Sequence, residues 1–219
     1  MHSDLRPSRL LYKLTKWLID RVIKRIERHD GEESAILTQR VLALESRRFV
    51  IWASVALGVV FAVSLLFLVR YRQIPLGVLF LFVCLVLSEI TLCDLAARVI
   101  PKECCWVLAL SGGMFQLIYA GAQGLLAGLE YAIVFCCVMC VSLWFMRKGK
   151  TQCVGGGDIR LLFAFCVACG KVSPYAVMLG IGAAALYSAV GVARGSLTMK
   201  DTFAYAPFIS SGIGMLVLV

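Results

Sequence analysis

From Phe49 onward the chain is a succession of apolar runs, most of them close to twenty residues long. A helix of ~20 apolar residues matches the ~30 Å hydrocarbon core of a bilayer. The whole chain is 61% hydrophobic and 16% charged, against about 45–50% apolar and about 25% charged in soluble domains. The expected class is therefore an all-α integral membrane protein.

Seven transmembrane helices are expected: Phe49–Val69, Ile74–Cys93, Cys104–Ala120, Gly124–Met146, Ile159–Gly170, Pro174–Val192 and Phe203–Val219. The organisation reads as a polar N-terminal region (1–48), an extra span with a short outer loop (49–73) and a six-helix core (74–219). In the first region Leu10, Leu11, Leu14, Trp17, Leu18, Val22 and Ile26 recur at helical spacing, with Lys and Arg between them. That pattern is a basic amphipathic helix suited to an anionic membrane surface, or to a protein partner. His29, Asp30 and Gly31 break it, and a second short helix is expected near 33–48. The region is too charged for the apolar stretch of a cleavable signal peptide.

Orientation follows from the basic residues. With the N-terminus inside, the inner segments 1–48, 94–103, 147–157 and 193–202 hold 18 of the 22 Lys and Arg. The outer loops hold only Arg70, Arg72 and Lys171. The positive-inside rule supports a cytoplasmic N-terminus in the cell inner (plasma) membrane. It also accounts for the net charge of +9 without nucleic acid, for which no motif is present. The ten cysteines lie almost all in apolar segments. Cys166 and Cys169 form a C-x-x-C pair, as do Cys137 and Cys140, each inside an expected span with no histidine near it, so neither zinc nor another metal is expected. Nothing in the sequence sets an oligomeric state.

Beyond residue 48 six acidic residues remain: Glu89, Asp94, Glu103, Glu130, Asp158 and Asp201. Ionisable groups in membrane spans point to function. Glu103 and Asp201 lie beside Lys102 and Lys200 and read as solvated loop charges. Glu130 reads as interfacial, at the outer end of the fourth span. Glu89 is inside the second span, about 140° around the helix from Asp94, where it is a candidate substrate contact. Asp94 and Asp158 both fall at the cytoplasmic membrane boundary. Each has a plain structural reading. Asp94 and Arg98 are spaced for an i, i+4 ion pair, and Asp158 suits the start of a helix. At one depth, they also make a pair.

Two carboxylates sharing a site do not both ionise readily, so one retains a proton. The ionised partner takes a proton from water, which attacks a carbonyl; the protonated one supports the carbonyl oxygen and then the leaving amine. No metal, serine or cofactor is needed, and no histidine stands ready to activate Cys153. Gly155, Gly156 and Gly157, just before Asp158, offer unusual backbone angles and close approach by another backbone.

Gly155-Gly156-Gly157-Asp158 fits the GxGD motif of membrane aspartic proteases, and Ile159-Arg160-Leu161-Leu162 resembles the type IV prepilin peptidase version, with Arg160 where Lys is typical. Asp94-Leu95-Ala96-Ala97-Arg98-Val99-Ile100-Pro101 is similar to that family's first aspartate motif, with Lys102 where Asn usually follows. Tyr205-Ala206-Pro207-Phe208-Ile209 resembles the segment opening its last span. The likeness covers about residues 75–219. It implies that Asp94 and Asp158 are catalytic, and that Gly155, Gly156, Gly157, Arg160, Arg98, Pro101 and Pro207, with Glu89, shape the site or contact substrate. It also implies prepilin or pseudopilin-like substrates, cut between a short basic leader and an apolar helix at the cytoplasmic face, with no cofactor. The bifunctional members N-methylate the product through a domain with two C-x-x-C pairs. Residues 1–48 contain no cysteine, so cleavage without methylation is expected.

Two rivals remain. One is a non-catalytic transporter or assembly factor using the aspartates as ion or coupling sites. The other is a presenilin-like protease, whose first aspartate usually follows Tyr, where this chain has Cys93. The expected fifth span is also short. Its twelve residues make only ~18 Å of helix, which would recess Asp158 below the surface unless the helix runs on toward Pro174 or the bilayer thins.

Overall fold

The computed structural model describes residues 17, 20–21, 62–69, 73–98, 100–148, 155–195, 204–214 and 216. Among these residues the regular elements are helices: α1 (Ile74–Ala97), α2 (Lys102–Lys148), α3 (Gly156–Cys169), a 3-10 turn (Gly170–Val172), α4 (Ser173–Ala193), α5 (Ala206–Ser211) and a second 3-10 turn (Gly212–Gly214). Residues 62–69, the described part of the first expected span, are also helical, as are Trp17, Asp20 and Arg21. The rest of the expected amphipathic helix, and the short helix expected near 33–48, lie outside the described residues.

Among the described residues three helical stretches are long and apolar enough to cross a bilayer: Ile74–Leu95, Lys102–Trp144 and Gly156–Ala193. The last two have 43 and 38 residues. Laid out straight they would reach roughly 65 and 57 Å, about twice a ~30 Å hydrocarbon core. Both are folded. In α2, Gly121 takes a left-handed φ of 69°, and the helix doubles back there. Gly113 on the first arm meets Leu125 on the second, a contact that twelve residues of straight helix would hold ~18 Å apart. Between α3 and α4, Gly170 has φ 58° and one 3-10 turn reverses the chain.

The boundaries differ from expectation in ways that matter for the site. α1 continues four residues past Cys93, so Asp94 belongs to its last turn instead of following it. α3 begins at Gly156, which puts Asp158 in its first turn. Its fourteen residues reach ~21 Å. The final expected span is described as α5, only six residues long, and the 3-10 turn after it.

α3 is the central element. Eight of its fourteen residues are buried, from Leu161 through Cys169 with Phe163 half-buried. A helix buried around most of its circumference belongs inside a bundle. It lies in the crook of the α2 hairpin, parallel to the first arm and antiparallel to the second. Small residues make this possible. A Cβ on Gly112 would lie 2.6 Å from the Ala168 Cα, and one on Gly128 would lie 3.0 Å from the Cys166 oxygen. Between helices in lipid, such close approach supplies the van der Waals contact that drives association. Cys166 and Cys169 are buried in this seam as small apolar groups.

The far end of α3 is satisfied by two buried side chains. The Gln116 amide donates to the Ala168 oxygen (2.7 Å). The Ser173 hydroxyl lies 2.8 Å from the Cys166 oxygen and 2.6 Å from that of Gly170. Without such partners, each helix-end carbonyl would cost several kcal/mol at this depth. Next to them Phe67, Phe80, Phe115 and Tyr119 stack as one aromatic cluster, with Phe67 and Phe80 4.5 Å apart. This cluster ties 62–69, α1 and the first arm of α2 together at the end of the bundle remote from Asp94. Outward-facing residues of α2 and α4, including Leu110, Met114, Leu126, Val134, Tyr175, Met178 and Leu186, are large, apolar and exposed, as a lipid-facing surface requires.

Glu89 is buried on α1, and its Oε1 lies 3.6 Å from Nε of Arg21, which is half exposed. This contact ties Arg21 to the core.

Two outcomes are expected for stability in detergent. Gly112→Leu and Gly128→Leu should each lower the melting temperature by the equivalent of about 1–3 kcal/mol or more through overpacking. Gly182→Ala, where an added Cβ meets nothing within 4 Å, should be neutral or stabilise by about 0.5–1 kcal/mol. Equal losses at all three would remove the close-packed seam as the reason. Arg21→Ala should destabilise by about 1–3 kcal/mol, less than for a fully buried pair because Arg21 is half exposed. Adding Glu89→Gln should restore most of the loss, and a strictly additive double variant would show that the two charges are not coupled.

Candidate active site

Asp94 and Asp158 are 64 residues apart in sequence and meet at one end of the bundle, close enough for their carboxylates to interact electrostatically. Three local features bring them together. Asp94 is in the last turn of α1, which stops at Arg98. Arg98 takes a left-handed conformation (φ 54°, ψ 34°), and its N–H bonds the Asp94 backbone oxygen at 2.9 Å. The chain cannot continue as helix, because Ile100 precedes Pro101 and the proline ring disfavours helical angles there. Ile100 then packs on α3, with its Cβ 3.1 Å from where a Cβ on Gly157 would stand. The segment after Asp94 thus rests on the segment before Asp158.

The third feature is the start of α5. Oδ2 of Asp94 accepts the Ala206 N–H at 2.8 Å, and the Tyr205 amide is also within hydrogen-bonding reach of this carboxylate. Pro207 has no N–H to satisfy, and the amides of Phe208 and Ile209 both donate to the Tyr205 oxygen (3.1 and 3.3 Å). The first-turn donors of α5 are therefore all accounted for, one by Asp94 and one by having a proline in its place. A hydrogen bond to a buried charged group contributes about 1.5–3 kcal/mol, so Asp94 has a structural share in anchoring α5. Thr91 and Ser210, one turn further along each helix, lie 2.8 Å apart through their hydroxyls.

Asp158 is half-buried at the third position of α3, and its Oδ2 accepts the Gly155 N–H at 3.0 Å. That is the carboxylate half of a capping box; Gly155 has no side chain to supply the other half. The side chain of Tyr205 is within electrostatic range of Asp158, while its backbone adjoins Asp94. Tyr205 therefore lies near both halves of the site.

The remaining residues singled out from the sequence divide into those that adjoin the pair and those that do not. Arg98 is exposed and within electrostatic range of Asp94, but the Asp94 carboxylate is hydrogen-bonded to Ala206. Pro101 is buried and accepts the Cys105 N–H at the start of α2. Gly156 and Gly157 are helical and Gly155 is extended with φ −82°, so none has the unusual backbone angles expected of them. Only Gly157 has a packing reason to lack a side chain, and an added Cβ on Gly156 would meet nothing within 4 Å. Arg160 points away from the pair, two residues or ~200° around α3 from Asp158. Glu89 lies deeper on α1 and faces Arg21. Glu103 and Glu130 are exposed; Cys153 and Asp201 lie outside the described residues.

Sequence reasoning missed the backbone of Tyr205 and Ala206 as the partner of Asp94. It also missed Gln116 and Ser173, whose isolated polar side chains in apolar runs were the available signal. No curated protein and no solved structure matches the chain. Residues 78–192, more than half of its length, match the type IV leader peptidase family. The matched region contains both aspartates, the Arg98–Pro101 turn and the glycines that precede Asp158. On that match, with an all-helical apolar bundle to carry it, the chain belongs to the type IV leader peptidase family, membrane peptidases of prepilin-type substrates.

Proposed function

We propose that the protein is an aspartic endopeptidase that removes the short basic leader of prepilin or pseudopilin-like proteins, using Asp94 and Asp158 to activate water. What supports this is the meeting of two carboxylates from distant segments, within electrostatic range of each other, at one end of a membrane bundle. The basic residues favour seven spans with the N-terminus and the active site on the cytoplasmic side of the inner membrane.

In the reactive state one carboxylate is ionised and the other holds a proton. The ionised one takes a proton from a water placed between them, and the water oxygen bonds to the carbonyl carbon of the scissile peptide. The protonated one donates to the carbonyl oxygen. When the C–N bond breaks, one carboxyl gives its proton to the leaving amine while the other carboxylate takes a proton from a hydroxyl of the tetrahedral intermediate, so the new carboxyl product is released and the pair again holds one proton. Because the two interact, their protons belong to the pair and neither is assigned as acid or base. The backbone amides of Ala206 and Gly155 hold one oxygen of each aspartate in place. Residues 1–48 lack the cysteine pairs of a methylating domain, so the product leaves unmethylated.

The same hydrogen bonds offer a purely structural reason for both aspartates, and asparagine separates the two roles. Asparagine caps helices about as well as aspartate but cannot exchange a proton. Asp94→Asn and Asp158→Asn should leave the protein inserted and folded while lowering cleavage of a co-expressed prepilin by at least about 100-fold each. Full cleavage by either variant would end the two-aspartate mechanism. In the wild type, cleavage should follow a bell-shaped pH profile, falling at low pH when both carboxyls are protonated and at high pH when both are ionised. The processed product, examined by mass spectrometry, should carry a free amine; added mass of a methyl group would contradict the peptidase-only assignment.

A further inference from the structure

A groove of about 500 Å³ runs along the side of α3 turned away from the aspartates, between the two arms of α2. Lys102 and Arg160 stand at its mouth. Trp106, Ala109, Ile159, Phe163 and Ala164 line its length, and Cys136 reaches in from the second arm. Ala109 is seven residues along α2 from Lys102, so the apolar part extends ~10 Å from the charged mouth toward the membrane interior. Trp106 is 66% exposed, at the level where aromatic side chains favour the membrane interface.

We infer that this groove binds one anionic glycerophospholipid, with its phosphate between Lys102 and Arg160 and an acyl chain along Trp106, Ala109 and Phe163. Charge complementarity selects this occupant. Both cations are exposed, and among the described residues neither makes an ion pair. The neighbouring carboxylates are accounted for: Asp158 is hydrogen-bonded to Gly155, and Glu103 is exposed beside Lys102 with an interaction of its own. A basic pocket between membrane helices at a bilayer face is suited to an anionic headgroup. A basic leader peptide would be repelled by the same two charges, so the groove is separate from the path of such a substrate. The Arg at 160 and the Lys at 102 thereby gain a role that the aspartate pair does not give them. The inference does not depend on whether Asp94 and Asp158 cleave peptides.

The test uses the full-length protein in detergent, with native mass spectrometry to count bound lipid. Phosphatidylglycerol should be retained about tenfold better than phosphatidylcholine of the same chain length. Lys102→Gln combined with Arg160→Gln should remove that preference and leave phosphatidylcholine retention unchanged, whereas Lys102→Arg with Arg160→Lys should keep it. Ala109→Trp, which fills the groove, should displace phosphatidylglycerol although both charges remain. Glycerol 3-phosphate at equal concentration should not compete. Equal retention of the two lipids by the wild type, an unchanged preference in the doubly neutralised variant, or full competition by glycerol 3-phosphate would each overturn the inference.

Discussion

The structure depends on burying α3 in a medium that offers its backbone no hydrogen bonds. A helix in lipid satisfies its interior internally, but its ends need partners, and in lipid an unpaired carbonyl or amide costs several kcal/mol. α3 begins at an exposed end of the bundle and ends inside it, and each end is answered separately. At its N-terminus Asp158 bonds the Gly155 amide. At its C-terminus Gln116 and Ser173 take the carbonyls of Cys166, Ala168 and Gly170. The glycines of the α2 hairpin then let neighbouring backbones close on it from two sides.

This arrangement links packing to chemistry. Asp158 is located by the helix that it caps, and that helix is located by Gly112 and Gly128. Asp94 is located by α1 and by the α5 amide that it accepts. The two elements meet through Ile100 resting on Gly157. Each carboxylate is thus held through a backbone hydrogen bond and not through a flexible side chain, which keeps the separation of the pair insensitive to side-chain motion. The left-handed Arg98 carries a backbone cost of about 1–2 kcal/mol, and it sits where the chain must turn sharply to bring Ile100 onto α3.

The bundle also separates two surfaces of opposite character around one helix. The face of α3 bearing Asp158 looks toward α1 and α5 and carries carboxylates. The face bearing Arg160 looks out between the arms of α2 and carries cations above an apolar groove. A turn of ~200° between residues 158 and 160 is enough to do this. Peptide chemistry and lipid contact can therefore occupy the same depth of membrane without sharing residues.

Much of this was legible in the chain itself. Apolar runs of bilayer length announced membrane helices, and their rough limits were readable because hydrophobicity is a local property. Asp94 and Asp158 stood out because a carboxylate in an apolar run is costly wherever it lands. What the sequence could not supply was the reason for the residues around them. Gly157 matters for its contact with Ile100, a side chain added at Gly156 would meet nothing, Glu89 faces Arg21, and the Asp94 carboxylate accepts a hydrogen bond from Ala206 across the bundle. Each of these depends on which surface another helix presents, and helices in lipid choose their neighbours by close packing and hydrogen bonding, not by any pattern within a single run. The sequence alone determined that the chain forms apolar helices long enough to cross a membrane and that two aspartates stand out among them; only the tertiary structure decided that the two come to one end of the bundle, because that depends on contacts between segments far apart in the chain.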